Sequence, residues 1–243
     1  MPFTLSHPAA VLPLLRGVRA RGPLVAPALV AGSMAPDLPF FAESLLPGVY
    51  RSGGLTHRWW AVPTVDVALA TALVAGWRGL WRDGTAVLLP ATGARPADRP
   101  DRLPGPGPVA LSAALGAATH VGWDSFTHRG RAGVRALPVL TRRLGGVPLY
   151  TALQYGTSLA GLVLVARHAA RAGAGPARPG AAVLLAAAAA AGAAHRLARR
   201  RGGVVDEACF GAGVGVAVAL AAVGAVARAR RPAGPSGAAR YGW

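Results

Sequence analysis

Residues 109–128, VALSAALGAATHVGWDSFTH, place His120, Asp124 and His128 at every fourth position of an otherwise almost wholly apolar run. On a helix, each step of four advances about 40° past a full turn and about 6 Å along the axis, so neighbouring members meet on one face. Ionisable groups are costly inside a hydrophobic helix, and one found there is a functional candidate by default. The run has the length of a membrane span, and its reading sets the fold class as all-α.

The rest of the chain supports that class. Of 243 residues, 53% are hydrophobic and only 14% charged, where a soluble domain carries about 25% charged residues. Apolar runs at about 59–80, 109–127, 148–166, 181–195 and 208–228 are bounded by Arg, Gly or Pro. They predict a polytopic helical membrane protein of the cell membrane with about five transmembrane helices. An N-terminal helical pair at 3–22 and 24–35 precedes them, with Pro36 and Pro39 stopping the second helix near Asp37. Ser33-Met34-Ala35 loosely resembles a signal-peptidase site, but Pro27 breaks the apolar run before it, so the segment reads as retained helix. Residues 1–166 form a core carrying the His/Asp residues, and 167–243 add C-terminal helices and a short Arg-rich tail. The span at 181–195, mostly Ala, is the weakest and relies on its neighbours for insertion. Residues 82–108, rich in Pro and polar groups, read as a loop, and Gly211, Gly213 and Gly215 as a site of close helix packing.

The net charge of +17 comes from Arg alone, since the chain has no Lys. The Arg residues lie in short loops between apolar runs, without an aromatic-rich basic face, which argues against nucleic acid and for anionic lipid headgroups as partners. Oligomeric state is left open. Cys209 stands alone, so neither an internal disulfide nor a Cys-based zinc site can form. No GxSxG, Walker or CxxC pattern supports a serine or cysteine nucleophile or a nucleotide site.

If the spans alternate, the start of 59–80 and the end of 109–127 share one side of the membrane. His57 then meets the His120 to His128 stripe, and Gln154 and Ser158 lie a turn or two inside the neighbouring span. Acids are scarce, and those in apolar surroundings are Asp37, Asp66 and Asp124. Imidazole with carboxylate suits a divalent metal, Zn by default for a hydrolytic site and Mn or Fe otherwise. His120 and His128 are about 12 Å apart along a straight helix and cannot share one ion. Asp124 therefore pairs with one of them or bridges two ions about 3.5–4 Å apart. His7, Asp37 and His57 would complete the shell from other helices, and Asp124 and Asp37 are the candidate catalytic carboxylates. Arg58, Asp66, Gln154 and Ser158 form a substrate-facing or supporting set, while His168 and His195, in Arg-rich helix ends, read as solvated.

Five separated motifs, MPFTLSHPAAVLPL, GSMAPDLPFF, LTHRWW, HVGWDSFTH and LQYGTSLAG, resemble in order a bacterial membrane family known as domain of unknown function 4184. The resemblance runs from residue 1 to about 166. That family in turn resembles the membrane-bound metal-dependent hydrolases, which implies His7, Asp37, His57, His120, Asp124 and His128 as metal ligands. The expected function is hydrolysis of a lipid or other amphiphilic ester or phosphoester at the membrane interface. A structural membrane protein whose metal ties helices together is the main alternative, and a transporter or proton relay a lesser one.

Overall fold

Prolines govern the start of the chain. In the computed structural model, which describes residues 3–49, 53–89, 105–175, 177–200 and 202–230, Thr4–Leu14 form a 3-10 helix with Pro8 and Pro13 inside it. Neither proline can donate to an α-helical ladder. A three-residue period aligns positions i and i+3, so Thr4 and His7 share one edge and are both buried. The helix expected over 3–22 ends early, because Leu15–Arg16 and Arg19–Ala20 pair as a small hairpin that turns at Gly17, whose φ is +58°.

Helix α1 spans Ala26–Met34, a single 3-10 turn covers Ala35–Asp37, and α2 spans Leu38–Ala42. Pro36 and Pro39 each occupy the first turn of the element they begin, where a missing N–H costs nothing. They redirect the chain at Asp37 rather than stop it. After the short α3, Gly53–Thr56, helix α4 covers Val65–Gly76 and continues through a π turn, Trp77–Trp81, into α5, Arg82–Leu88. The first part of the expected loop at 82–108 is thus helical, and residues 90–104 of it lie outside the described residues. The stripe lies on α6, Pro106–Thr127, with His128 as its C-cap. Beyond α7, Ala132–Ala136, a second hairpin (Arg143–Leu144 with Val147–Pro148) turns through Gly145 and Gly146, both at positive φ.

The core is built on backbone contact between α1 and α6. A Cβ on Gly32 would stand 2.1 Å from the Ala113 carbonyl oxygen, and one on Gly116 would stand 2.2 Å from that of Leu29. Ala28, Ala31, Ala35, Ala113 and Val109 fill the seam with Ala70 and Val74 of α4. Small residues let these main chains touch, and the touching brings a carbonyl of α1 to the ring of His120.

Three long helices follow: α8, Leu149–Arg171; α9, Pro179–Ala198; and α10, Val204–Ala229. Among the described residues these three are long and apolar enough to cross a membrane. They correspond to the last three of the five expected spans. Most of their apolar surface faces outward, Leu159 being 65% and Val183 70% exposed, as lipid contact requires. Helices α9 and α10 pack through glycine: a Cβ on Gly215 would stand 2.0 Å from the Ala188 oxygen, and one on Gly211 2.3 Å from that of Gly192. An ion pair between Arg196 and Glu207 is buried between the two helices. Arg196 also donates to the Phe40 carbonyl at 2.8 Å and to Ser44 Oγ at 3.0 Å, which ties the C-terminal helices to the end of α2.

Substituting Gly116→Ala should force α1 and α6 apart and lower stability by about 1–3 kcal/mol, the usual cost of overpacking. Gly122→Ala on the same helix, whose added carbon meets only Trp59 at 3.6 Å, should stay within about 0.5 kcal/mol of wild type. Thermal unfolding of both variants in detergent checks the contrast.

Candidate metal centre

The six His and Asp residues of the stripe and the opening motifs converge from four parts of the chain. His7 comes from the N-terminal 3-10 helix, and Asp37 from the turn between α1 and α2. His57 follows α3, and His120, Asp124 and His128 come from α6 and its cap. Asp37 and His120 are wholly buried and Asp124, His7 and His57 nearly so.

Four atoms form the centre of the cluster. His57 Nε2 lies 3.3 Å from Asp37 Oδ1 and 3.4 Å from Asp124 Oδ2. His120 Nε2 lies 3.5 and 3.6 Å from the same two oxygens. The two Nε2 atoms are 3.3 Å apart. These separations exceed the 2.7–3.2 Å range of good N–H···O hydrogen bonds. Such spacings are those of donors that could each stand about 2.0–2.2 Å from one shared ion, the Zn–N and Zn–O bond length.

The tautomers agree with that geometry. His120 Nδ1 lies 2.7 Å from the Ser33 carbonyl oxygen, which can only accept. Nδ1 therefore carries a proton, and Nε2, which faces both carboxylates, is the nitrogen that would exchange its proton for a metal. Thr56 Oγ1 donates to the Pro36 carbonyl at 2.6 Å and lies 3.4 Å from His57 Nδ1, so the hydroxyl oxygen faces that nitrogen and Nε2 is turned inward. Arg131 donates to the His57 carbonyl at 3.2 Å. Thr4 Oγ1 donates to Asp37 Oδ2 at 2.6 Å, which leaves Oδ1 directed at the centre. Two buried groups here, His57 with His120 and Asp124, and His7 with Asp37 and His120, could hold a metal ion.

The second oxygen of Asp124 faces the other way. Its Oδ1 lies 3.8 Å from His7 Nε2 and 3.6 Å from His128 Nδ1. The His7 ring stacks on that of His120 with centroids 3.6 Å apart. Burial, followed by the neighbouring His120, holds His7 well below the ordinary imidazole pKa, and burial pushes His128 down to about 4. Both rings are therefore neutral at pH 7, the form that binds metal. Burial alone would raise Asp37, but the adjacent His120 keeps its carboxyl well below the usual range and ionised.

Of the expected supporting set, Gln154 is in place, its Nε2 being 3.3 Å from His128 Nε2. Ser158 is buried one turn further along α8, and its Oγ has no hydrogen-bond partner among the described residues. Asp66 is buried within electrostatic reach of His57 and His120, but both its oxygens lack hydrogen-bond partners among the described residues rather than meeting an Arg. Arg58 is exposed. His168, expected to be solvated, donates to the Gly17 carbonyl at 2.9 Å and ties α8 to the first hairpin, whereas His195 is exposed. Sequence reasoning missed Thr4, Thr56, Arg131 and the Ser33 carbonyl. Thr4 and Thr56 could have been flagged as hydroxyls inside the same short motifs as His7 and His57, but a main-chain acceptor leaves no trace in a sequence.

An apolar groove of about 270 Å³ opens beside His7, lined by Ala9, Ala10, Trp123, Ala160, Gly161 and Leu164 with Ser6 and Thr157. It lies between the N-terminal 3-10 helix and the membrane-length helix α8. A larger cavity of about 320 Å³ lies at the C-terminal helices around Arg196, Arg199, Glu43 and Glu207.

A family model described as "Domain of unknown function (DUF4184)" matches residues 1–228, so the likeness extends past residue 166 through the C-terminal helices. No curated protein and no solved structure matches the chain.

Thr4→Val removes the hydroxyl that orients Asp37 while keeping its volume. Metal affinity should fall about 10–100-fold, as for other groups that position a ligand, with the fold intact. Competition against a chromogenic chelator measures the change.

Proposed function

For a chain that belongs to this family of unknown function, we propose a multi-pass protein of the cell membrane that binds a divalent metal and hydrolyses a lipid or other amphiphilic ester or phosphoester at the membrane interface. The observation that carries the reading is the 3.3–3.6 Å spacing of His57 Nε2 and His120 Nε2 from each other and from Asp37 Oδ1 and Asp124 Oδ2. The motif resemblance to membrane-bound metal-dependent hydrolases points the same way. Zn is the expected ion, and Mn or Fe would suit the same donors.

The substrate class follows from the surroundings. The groove beside His7 is almost wholly apolar and borders α8, so an acyl chain could enter from the bilayer with its headgroup bond near the cluster. Exposed Arg58 and the neighbouring Arg131 supply positive charge at the same end for an anionic headgroup. A bound divalent ion would polarise the scissile group and lower the pKa of water toward neutrality. Asp124 Oδ1, buried and without a hydrogen-bond partner among the described residues, is the oxygen best placed to accept the proton released by the attacking water. Helices α4–α5 and α6 complete a five-span arrangement with α8, α9 and α10 in this reading.

One observation favours a second reading. Four protein donors around one ion form closed coordination, the pattern of structural rather than catalytic zinc. The ion would then tie α1, α3 and α6 together without reacting.

Detergent-purified wild type should retain stoichiometric transition metal and lose it in His120→Ala and Asp124→Ala. Retention should also fall as pH drops below about 6, because protons compete for the imidazoles. Elemental analysis after gel filtration tests both points, and metal-free wild type would end the metal reading. Screening the loaded protein against lipid esters and phosphoesters then separates the two roles: turnover abolished by Asp124→Ala identifies the hydrolase, and a raised Tm without turnover the structural tie.

A further inference from the structure

The four-atom centre uses only one oxygen of Asp124, and the other has a donor set of its own. Asp124 Oδ1 faces His7 Nε2 at 3.8 Å and His128 Nδ1 at 3.6 Å, on the side away from His57. His7 Nε2 and Asp124 Oδ1 are buried and have no hydrogen-bond partner among the described residues. Two adjacent buried polar atoms in that state are costly unless something lies between them. Their separations again match the spacing of atoms that share one ion rather than atoms that hydrogen-bond to each other.

We propose that the centre is dinuclear, with Asp124 as the bridging carboxylate: its Oδ2 joins the four-atom set, and its Oδ1 binds a second divalent ion with His7 and His128. This rests on the reading of the cluster as a metal centre. The spacing along α6 is what makes it workable. His120 and His128 are too far apart on the helix axis to share an ion, but each lies one turn from Asp124 and meets a different carboxylate oxygen, His120 at 3.6 Å from Oδ2 and His128 at 3.6 Å from Oδ1. His7 stays in register with the first set through its ring stacking on His120.

Gln154 is the positioning residue of the second ion. The two ends of a side-chain amide are interchangeable in placement. With its oxygen toward His128 Nε2, now 3.3 Å from the amide, Gln154 accepts the Nε2 proton and leaves Nδ1 unprotonated beside Asp124, with the Thr127 hydroxyl, 3.2 Å from Nδ1, donating to the Trp123 carbonyl. The two ions differ in consequence. The first has four protein donors, whereas the second has three and retains an open position, the arrangement of a catalytic ion. That open position lies at His7, which lines the apolar groove. The closed ion would then hold the fold and the open one meet the substrate, with the Asp124 carboxylate joining them through its two oxygens.

The test is a Mn²⁺ titration of chelator-stripped full-length protein in detergent, read by elemental stoichiometry and electron paramagnetic resonance. Wild type should bind two equivalents and give the signal of an exchange-coupled pair. His128→Ala should bind one, with an uncoupled spectrum, and Gln154→Leu should weaken only the second equivalent by about tenfold or more. Wild type that saturates at one equivalent, or His128→Ala that still binds two, overturns the dinuclear centre and leaves the single-metal reading intact. Wild type that binds none overturns both. Because wild-type stoichiometry and coupling decide the matter alone, a poorly folded variant does not blunt the test.

Discussion

Two carboxylates held together in a dry interior repel one another unless positive charge, from protonated imidazoles or a metal ion, lies among them. Everything around Asp37 and Asp124 can be understood as a means of holding that arrangement. The α1–α6 seam fixes where His120 meets the Ser33 carbonyl. Thr4 fixes one oxygen of Asp37, and Thr56 anchors the turn that carries His57 to the Pro36 carbonyl. The 3-10 period of the N-terminal segment aligns Thr4 with His7. None of these contacts contributes much alone. Together they hold His57, His120 and the two carboxylates 3.3–3.6 Å apart, a spacing that could hold a metal ion.

Much of this was legible in the residues because of helical geometry and the scarcity of acids. The four-residue spacing of His120, Asp124 and His128 identified Asp124 as central, and alternation of spans brought His57 and Gln154 to the same end, where His57 lies 3.3 Å from His120 and Gln154 3.3 Å from His128. The chain path between the sites was less legible. Pro13 and Gly17 convert the end of the first expected helix into a hairpin, and a π turn carries α4 into a stretch whose polar character read as loop. The Arg196–Glu207 pair was also missed. Either residue alone looks like an interfacial charge at a helix end, and only the pairing of α9 with α10 reveals that they neutralise each other.

The three membrane-length helices and the centre are linked through the same few residues. Arg196 reaches the Phe40 carbonyl, three positions after Asp37, and the Phe40 ring lies 5.8 Å from that of His57. Trp123, one residue before Asp124, reaches Thr157 on α8. The C-terminal helices are therefore part of the scaffold that sets the donor positions, in keeping with a family likeness that runs to residue 228.

The partner of His120 is a main-chain carbonyl, and this affects how the protein can drift. No exchange of the side chain at position 33 removes that acceptor, so Ser33 carries no hereditary obligation on behalf of the imidazole. The obligation passes to Gly32 and Gly116, which have no side chain to inspect but determine where the carbonyl lies. In a descendant of this chain, loss of the centre would first be visible at two silent-looking glycines, before any histidine or aspartate had changed.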